Sequence, residues 1–330
     1  MRGRLVSVNQ LTIAIGVMGA QIVNWLIVRP VAPGLTTSQI PFDSWNVQVA
    51  WRWMFGVTSI PAIVFFISML FGPESPRWLA KKGRSREAFA VLARIGGTAY
   101  AAQSLKNIEA TVAADFDKID LTELFAPKML KVLLLGIVIA VFQQWCGINI
   151  IFQYGSRIFA DAGYAVSGVM FNIMVTGVVA VLMTCVAIGT VDRWGRRALM
   201  LSGAAGLTLI YLATGWAYHE HMQGPIPVAL VVAAIAFYCY SLAPVTWVVL
   251  AEVFPNRIRG AAMSVSVAAL WLANFLLSQS FPVMYVKLGL ARCFWVYAAV
   301  CLAGFIFIAF NLPEAKGKTL EQLERELAAE

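Results

Sequence analysis

Four amides stand close together in an apolar stretch: Gln143, Gln144, Asn149 and Gln153, within VFQQWCGINIIFQY at Val141–Tyr154. An amide donates and accepts at once, so it can hold a hydroxyl, a water or another amide. The apolar run around them begins near Leu130 and is long enough to cross a membrane. Amides without partners are costly in hydrocarbon, so the cluster must face a protein interior or a wet cavity. On an unbroken helix Gln144 and Asn149 would lie roughly 140° apart. Gly147 between them is where the helix can open and bring Asn149 round. An opened helix with amides near mid-membrane is the usual build of a transporter's substrate site. The plainer alternative is that the amides glue packed helices together.

These residues need helices to carry them. The chain has 330 residues, 60% hydrophobic and only 13% charged, about half the charged share of soluble domains. That composition specifies an all-α polytopic membrane protein. Eight runs are long enough to span: Val8–Val28, Trp51–Gly72, Leu130–Gln153, Ser167–Val191, Arg197–Tyr218, Ile226–Ala251, Ala261–Val286 and Phe294–Leu312. Of the 25 Lys and Arg, all but Arg29, Arg52, Arg157, Lys287 and Arg292 fall in alternate connections and the two ends. By the positive-inside rule both termini are cytoplasmic, as an even number of spans requires. The net charge of +8 is therefore a topology signal and implies no nucleic-acid partner. The five cysteines lie in apolar runs without metal spacing and read as packing residues. No cleavable signal peptide is legible.

One long polar segment interrupts the spans, Glu74–Lys128. Ser75-Pro76 reads as an N-cap followed by proline at the first helical position. Ser85 is a candidate cap for a second helix carrying Ala88, Leu92 and Ile95. Leu105, Ile108, Val112, Phe116 and Ile119 recur at helical spacing in a third. The chain also repeats itself. Arg2-Gly3 opens run one and Arg259-Gly260 opens run seven. Pro73–Arg77 (PESPR) closes run two and Pro313–Gly317 (PEAKG) closes run eight. Six helices per repeat make runs three to eight one unit and runs one and two the end of another. The expected domains are 1–73 (two helices), 74–129 (the cytoplasmic segment), 130–312 (a six-helix half) and 313–330 (the tail).

The motifs PESPRWL (Pro73–Leu79), QQWCGIN (Gln143–Asn149), DRWGRR (Asp192–Arg197), AEVFPNRIRG (Ala251–Gly260) and PEAKGKTLE (Pro313–Glu321) occur in this order. Together they resemble the sugar porter family of the major facilitator superfamily, with its bacterial xylose–proton symporters and animal facilitative glucose transporters. The resemblance covers the whole chain and aligns it from before the family's fifth helix to its twelfth, so four helices are expected to be missing from the front. It implies a monosaccharide site. Gln10 matches a sugar-binding glutamine of helix five, and Gln143, Gln144 and Asn149 match the polar cluster of helix seven. Trp247, three residues after Pro244, matches the sugar-packing tryptophan of helix ten. Tyr238 stands where the family usually has phenylalanine, and Trp271 and Asn274 match helix eleven. For Trp247 and Trp271 the alternative is interfacial anchoring or core packing. Two positions depart from the family pattern: Leu270 and Ala180 replace polar sugar contacts.

The resemblance also implies a cytoplasmic gate built from ion pairs among Glu74, Arg77, Asp192, Arg196, Arg197, Glu252, Arg257, Arg259 and Glu314. Plain topology charge would explain the arginines but not the acidic residues among them. No Asp or Glu lies inside any span, and proton coupling needs an ionisable group in the membrane path. In the symporter branch that aspartate is on the first helix. No Walker sequence, metal-ligand cluster or catalytic triad is present, so neither an enzyme nor a cofactor is expected. The expected function is transport of a pentose or hexose such as xylose or glucose across the inner (plasma) membrane by alternating access. Its partners are the sugar, the bilayer and, in a full-length parent, protons for symport. On this reading the 330 residues insert but move no sugar alone. The alternatives are a sugar sensor on the same fold and a fragment without function.

Overall fold

The computed structural model describes residues 2–30, 41–114, 126–254 and 258–313, without the side chains of 2–9, 111–114, 127–128 and 192. Its contacts divide into two compact units, Met1–Met54 with Thr122–Glu330, and Phe55–Leu121.

The regular structure of the larger unit is helical among its described residues. It begins with α1 (Arg2–Ile27) and a π-helical turn at Asn46–Ala50 that runs into α2 (Trp51–Val57), whose last three residues fall in the smaller unit. Beyond α3, α4 and α5, which belong to the smaller unit, it continues with α6 (Pro127–Trp145), α7 (Ile148–Asp161), α8 (Val166–Trp194) and α9 (Arg196–His219). It ends with α10 (Pro225–Tyr240), α11 (Leu242–Val253), α12 (Arg259–Leu288) and α13 (Leu290–Asn311). Among the described residues eight segments are long and apolar enough to cross a membrane, from Gln10–Ile27 to Leu290–Asn311. They coincide with the eight hydropathic runs. The third extends further than its run, to Asp161, because α6 and α7 together form one broken span.

Two breaks shape this unit. Gly147 adopts φ 86°, ψ −10° between α6 and α7. That left-handed conformation suits glycine because it carries no Cβ. Ser241 (φ −123°, ψ −83°) separates α10 from α11. The break falls at Ser241 rather than at Pro244, because the proline ring clashes with the backbone one turn before it and offers no N–H to Tyr240. The core lies among α6–α13 and is filled by side chains such as Ile139, Phe159, Leu207, Tyr211, Phe254 and Phe281. Tyr211 and Tyr218 of α9 pack on Phe294 of α13, each 5.7 Å between ring centres. α1 lies along α8, where a Cβ on Gly177 would sit 3.0 Å from the Met18 Cα, closer than packed carbons allow.

The smaller unit holds α3 (Ser59–Leu70), α4 (Pro76–Lys81) and α5 (Ser85–Ala114). α3 is apolar and has no buried residue, a surface suited to lipid. α4 starts with Pro76 after Ser75, as the sequence indicates, although the Ser75 hydroxyl makes no capping bond. Ser85 is the first helical residue of α5, not its cap, because its hydroxyl donates to Glu109 Oε1 at 2.7 Å instead. Ala88 and Leu92 are buried, whereas Ile95 is exposed. Gly97 (φ 84°, ψ 173°) kinks α5, the bend that lets Ser85 and Glu109 meet. The expected third helix follows this kink; its Phe116 and Ile119 lie outside the described residues.

Candidate functional site

The opening at Gly147 gathers the amides. Gln143 and Gln144 stand at the end of α6, and Asn149 begins the first turn of α7. Asn149 Nδ2 donates to Gln144 Oε1 across the break. Asn274 of α12 donates to the same oxygen at 2.7 Å. Gln144 Nε2 donates to Gln143 Oε1 at 2.9 Å, and Gln143 Nε2 donates to the Tyr238 hydroxyl of α10 at 3.0 Å. Gln143 and Gln144 are only 4% and 7% exposed, so these bonds are formed away from bulk solvent. Buried amides left unpaired would each cost about 1–3 kcal/mol, so the network both orients the groups and makes their burial tolerable.

The network continues along α7 and α12. Ser278, one turn after Asn274, donates to Gln153 Oε1 at 2.7 Å and lies 3.4 Å from Asn274 Oδ1. The Tyr154 hydroxyl donates to the Ser278 carbonyl at 3.1 Å, and the Trp145 indole donates to the Ala273 carbonyl at 3.0 Å. Sequence reasoning saw Gln153 in the cluster but did not find Ser278. Its signal was the four-residue spacing from Asn274 on a helix face.

Other expected site residues stand apart from these bonds. Gln10 of α1 is half-buried, and no described hydrogen bond joins it to the α6 and α7 amides. Trp247 of α11 is half-buried against the core. Trp271 is 62% exposed, while Leu270 beside it is fully buried. One step along a helix rotates a side chain by 100°, which takes Trp271 off the face of Leu270 and Asn274. Ala180 of α8 is buried and apolar.

At one end of the unit, Arg196 opens α9 and Glu252 nears the end of α11. The Arg196 guanidinium forks onto the Glu252 carboxylate, Nε to Oε2 at 3.1 Å and Nη2 to Oε1 at 3.0 Å. Their side chains are 13% and 28% exposed, so water screens this pair less than a surface pair. Arg197 donates to the Ala309 carbonyl near the end of α13 at 2.6 Å, and Arg259 Nε donates to the Phe254 carbonyl at 3.1 Å. Glu74 and Arg77 belong to the smaller unit. Arg257, Glu314 and the Asp192 side chain lie outside what is described.

The family model described as "Sugar (and other) transporter" matches residues 1–327. The chain belongs to that family. It is 34% identical over 326 residues to the arabinose-proton symporter of Bacillus subtilis, covering 98% of this chain and 68% of that protein. It is 34% identical over 335 residues to the major myo-inositol transporter of the same organism, covering 99% and 68%. A partially occluded, inward-open structure of the xylose transporter of Escherichia coli superposes with a TM-score of 0.80 at 31% identity, covering 96% of this chain and 65% of that one. The fold is that of the major facilitator superfamily. The chain thus spans about two thirds of the length of these relatives and is a multi-pass membrane protein, not an enzyme.

Proposed function

We propose that this chain supplies the sugar-gripping helices of a transporter that carries a monosaccharide, a pentose or hexose such as xylose or glucose, by alternating access. The observation that carries the reading is the opened span at Gly147, which turns Gln143, Gln144, Asn149 and Asn274 into one interior amide set. Amides offer paired donors and acceptors to vicinal hydroxyls, and aromatic faces suit the C–H face of a pyranose. Tyr238 and Trp247 fill the aromatic role, with Gln10 and Trp271 closing the site from α1 and α12 when sugar is bound.

Proton coupling is proposed because a relative is an arabinose-proton symporter. The Arg196–Glu252 fork acts as an inner latch, joined by Arg197 and Arg259. The distribution of Lys and Arg supports cytoplasmic termini, and the membrane proposed is the inner (plasma) membrane.

The test is saturation binding of labelled xylose, arabinose and glucose to the purified chain, with uptake by transporter-deficient cells read in parallel. Gln144→Ala removes the acceptor shared by Asn149 and Asn274 and should weaken binding about ten-fold, one buried hydrogen-bonded pair. Saturable binding that Gln144→Ala leaves unchanged would refute the assignment of the site. Saturable binding of none of the sugars would refute the substrate class.

A further inference from the structure

The chain has two histidines, His219 and His221, and both line one cavity of about 550 Å³. Three connections meet there: the end of α7 at Asp161, the end of α9 with its turn into α10, and the turn between α12 and α13 at Gly289. α9 runs from Arg196 to His219, so this cavity lies at the opposite end of that helix from the Arg196–Glu252 fork. It is separate from the amide network, with which it shares no lining residue.

The walls are fixed by the backbone. The Gly224 N–H donates to the Ala162 carbonyl at 2.9 Å and ties the α9–α10 turn to the end of α7. His221 holds φ 53°, a left-handed conformation that histidine tolerates better than most residues. The lining polar groups divide into occupied and open ones. Asp161 accepts from the Tyr285 hydroxyl at 2.7 Å, and the Arg157 guanidinium lies 4.4 Å over the same Tyr285 ring. Tyr218 donates to the Ile158 carbonyl at 2.9 Å. The side chains of Arg292, His219, His221 and Gln223 make no hydrogen bond or ion pair among the described residues. The open groups are thus rich in N–H donors, while the one lining carboxylate is already engaged.

We propose that this cavity binds a phosphate- or carboxylate-type oxyanion, with Arg292 as the main contact and His219, His221 and Gln223 as further donors. A guanidinium fork matches the geometry of an oxyanion, and imidazole and amide N–H groups complete its coordination. A metal ion fits less well, because no group of His, Cys, Asp and Glu suited to holding one is found among the described residues. The oxyanion has two sources, a solute or a phospholipid headgroup. Trp216 and Trp295 flank the His219 ring, and such rings mark the headgroup level of a bilayer, so a headgroup can reach the site.

The experiment follows thermal unfolding of the purified full chain. One arm adds inorganic phosphate in neutral detergent, with chloride at matched ionic strength as reference. The other compares phosphatidylglycerol with phosphatidylcholine nanodiscs. Saturable stabilisation by phosphate supports the solute source, and stabilisation by phosphatidylglycerol alone supports the headgroup. In either case Arg292→Gln should raise the half-effect concentration about ten-fold or more, the loss of a charge-assisted contact. Arg292 is exposed, so that variant should fold. His221→Asn keeps the left-handed turn and removes the imidazole, and should weaken the effect by a smaller factor. No stabilisation in either arm, or equal stabilisation in both variants and the parent, would overturn the proposal.

Discussion

Replacing Gly147 by alanine tests whether the opened span builds the amide site. Alanine at φ 86° pays about 1–2 kcal/mol for the left-handed backbone. Its Cβ would also lie 2.6 Å from the Tyr297 Cγ, inside contact distance, and forcing such a contact in a packed core costs about 1–3 kcal/mol. The total is roughly 2–5 kcal/mol against the break. A continuous α6–α7 helix has no such cost, so the population shifts towards it and Asn149 swings about 140° from Gln144. At about 2 kcal/mol the binding-competent fraction falls so that the apparent Kd for sugar rises by up to about thirty-fold. Saturation binding measures this directly, with thermal unfolding in parallel. The double variant Gly147→Ala/Tyr297→Ala removes the clash but not the backbone cost, so it should show a coupling of about 1–3 kcal/mol in a double-mutant cycle. Unchanged affinity and unchanged unfolding temperature in Gly147→Ala would refute the reasoning.

Tyr238→Phe deletes the acceptor of Gln143 Nε2 and should cost about 1 kcal/mol of stability, read by thermal unfolding. Unaltered stability would mean that Gln143 readily finds another acceptor. Arg196→Ala should cost about 2 kcal/mol by removing both bonds of the fork onto Glu252, and Arg196→Lys should recover only part of it, because an ammonium cannot fork onto both oxygens. Full recovery by lysine would show that the pair acts as a simple charge contact. Leu270→Gln places an amide at a fully buried position one turn from Asn274. It should lower the stability of the sugar-free protein by about 1–3 kcal/mol and tighten sugar binding. Loss of stability without tighter binding would place Leu270 away from the sugar.

The eight spans were legible because apolarity over some twenty residues is a property of each segment alone. The opening at Gly147 was legible for a related reason: the angle between Gln144 and Asn149 on a straight helix makes convergence impossible without a break. Partnerships across long separations were less legible. Gln144 and Asn274 are 130 residues apart, and Gln153 and Ser278 are 125. Their meeting depends on how α12 lies against α6 and α7, which local periodicity does not encode. The choice of Glu252 as the partner of Arg196 is similar, since the motifs offered several acids and one geometry decided among them. The break at Ser241 precedes Pro244 by about one turn, where the ring meets the preceding backbone, so the proline marks a nearby break and not its position. The Gly97 kink had only a Gly-Gly pair as its signal, and the long helical pattern of α5 masked it.

The amide network also bears on how tightly such a site can hold sugar. Gln144 Oε1 accepts from both Asn149 and Asn274, so its lone pairs are occupied before any ligand arrives. Gln143 spends one N–H on Tyr238 and accepts from Gln144. What remains is Asn149 Oδ1 and one lone pair each of Gln143 Oε1 and Asn274 Oδ1 as acceptors, and the second N–H of Gln143, Gln144 and Asn274 as donors, because Asn149 Nδ2 also faces the Gln144 carbonyl at 3.4 Å. A sugar hydroxyl must therefore use these remaining groups or displace an internal bond. Displacement exchanges one hydrogen bond for another and gains little, whereas each unused group contributes about 1 kcal/mol. The apolar side chains of Leu270 and Ala180 add no hydrogen bond to this set. A carrier gains from such restraint, because its site must release sugar on the far side as readily as it takes sugar up. A network that satisfies itself when empty keeps the sugar-free state from being trapped as a costly intermediate, and that state is the one that must reorient to complete the cycle.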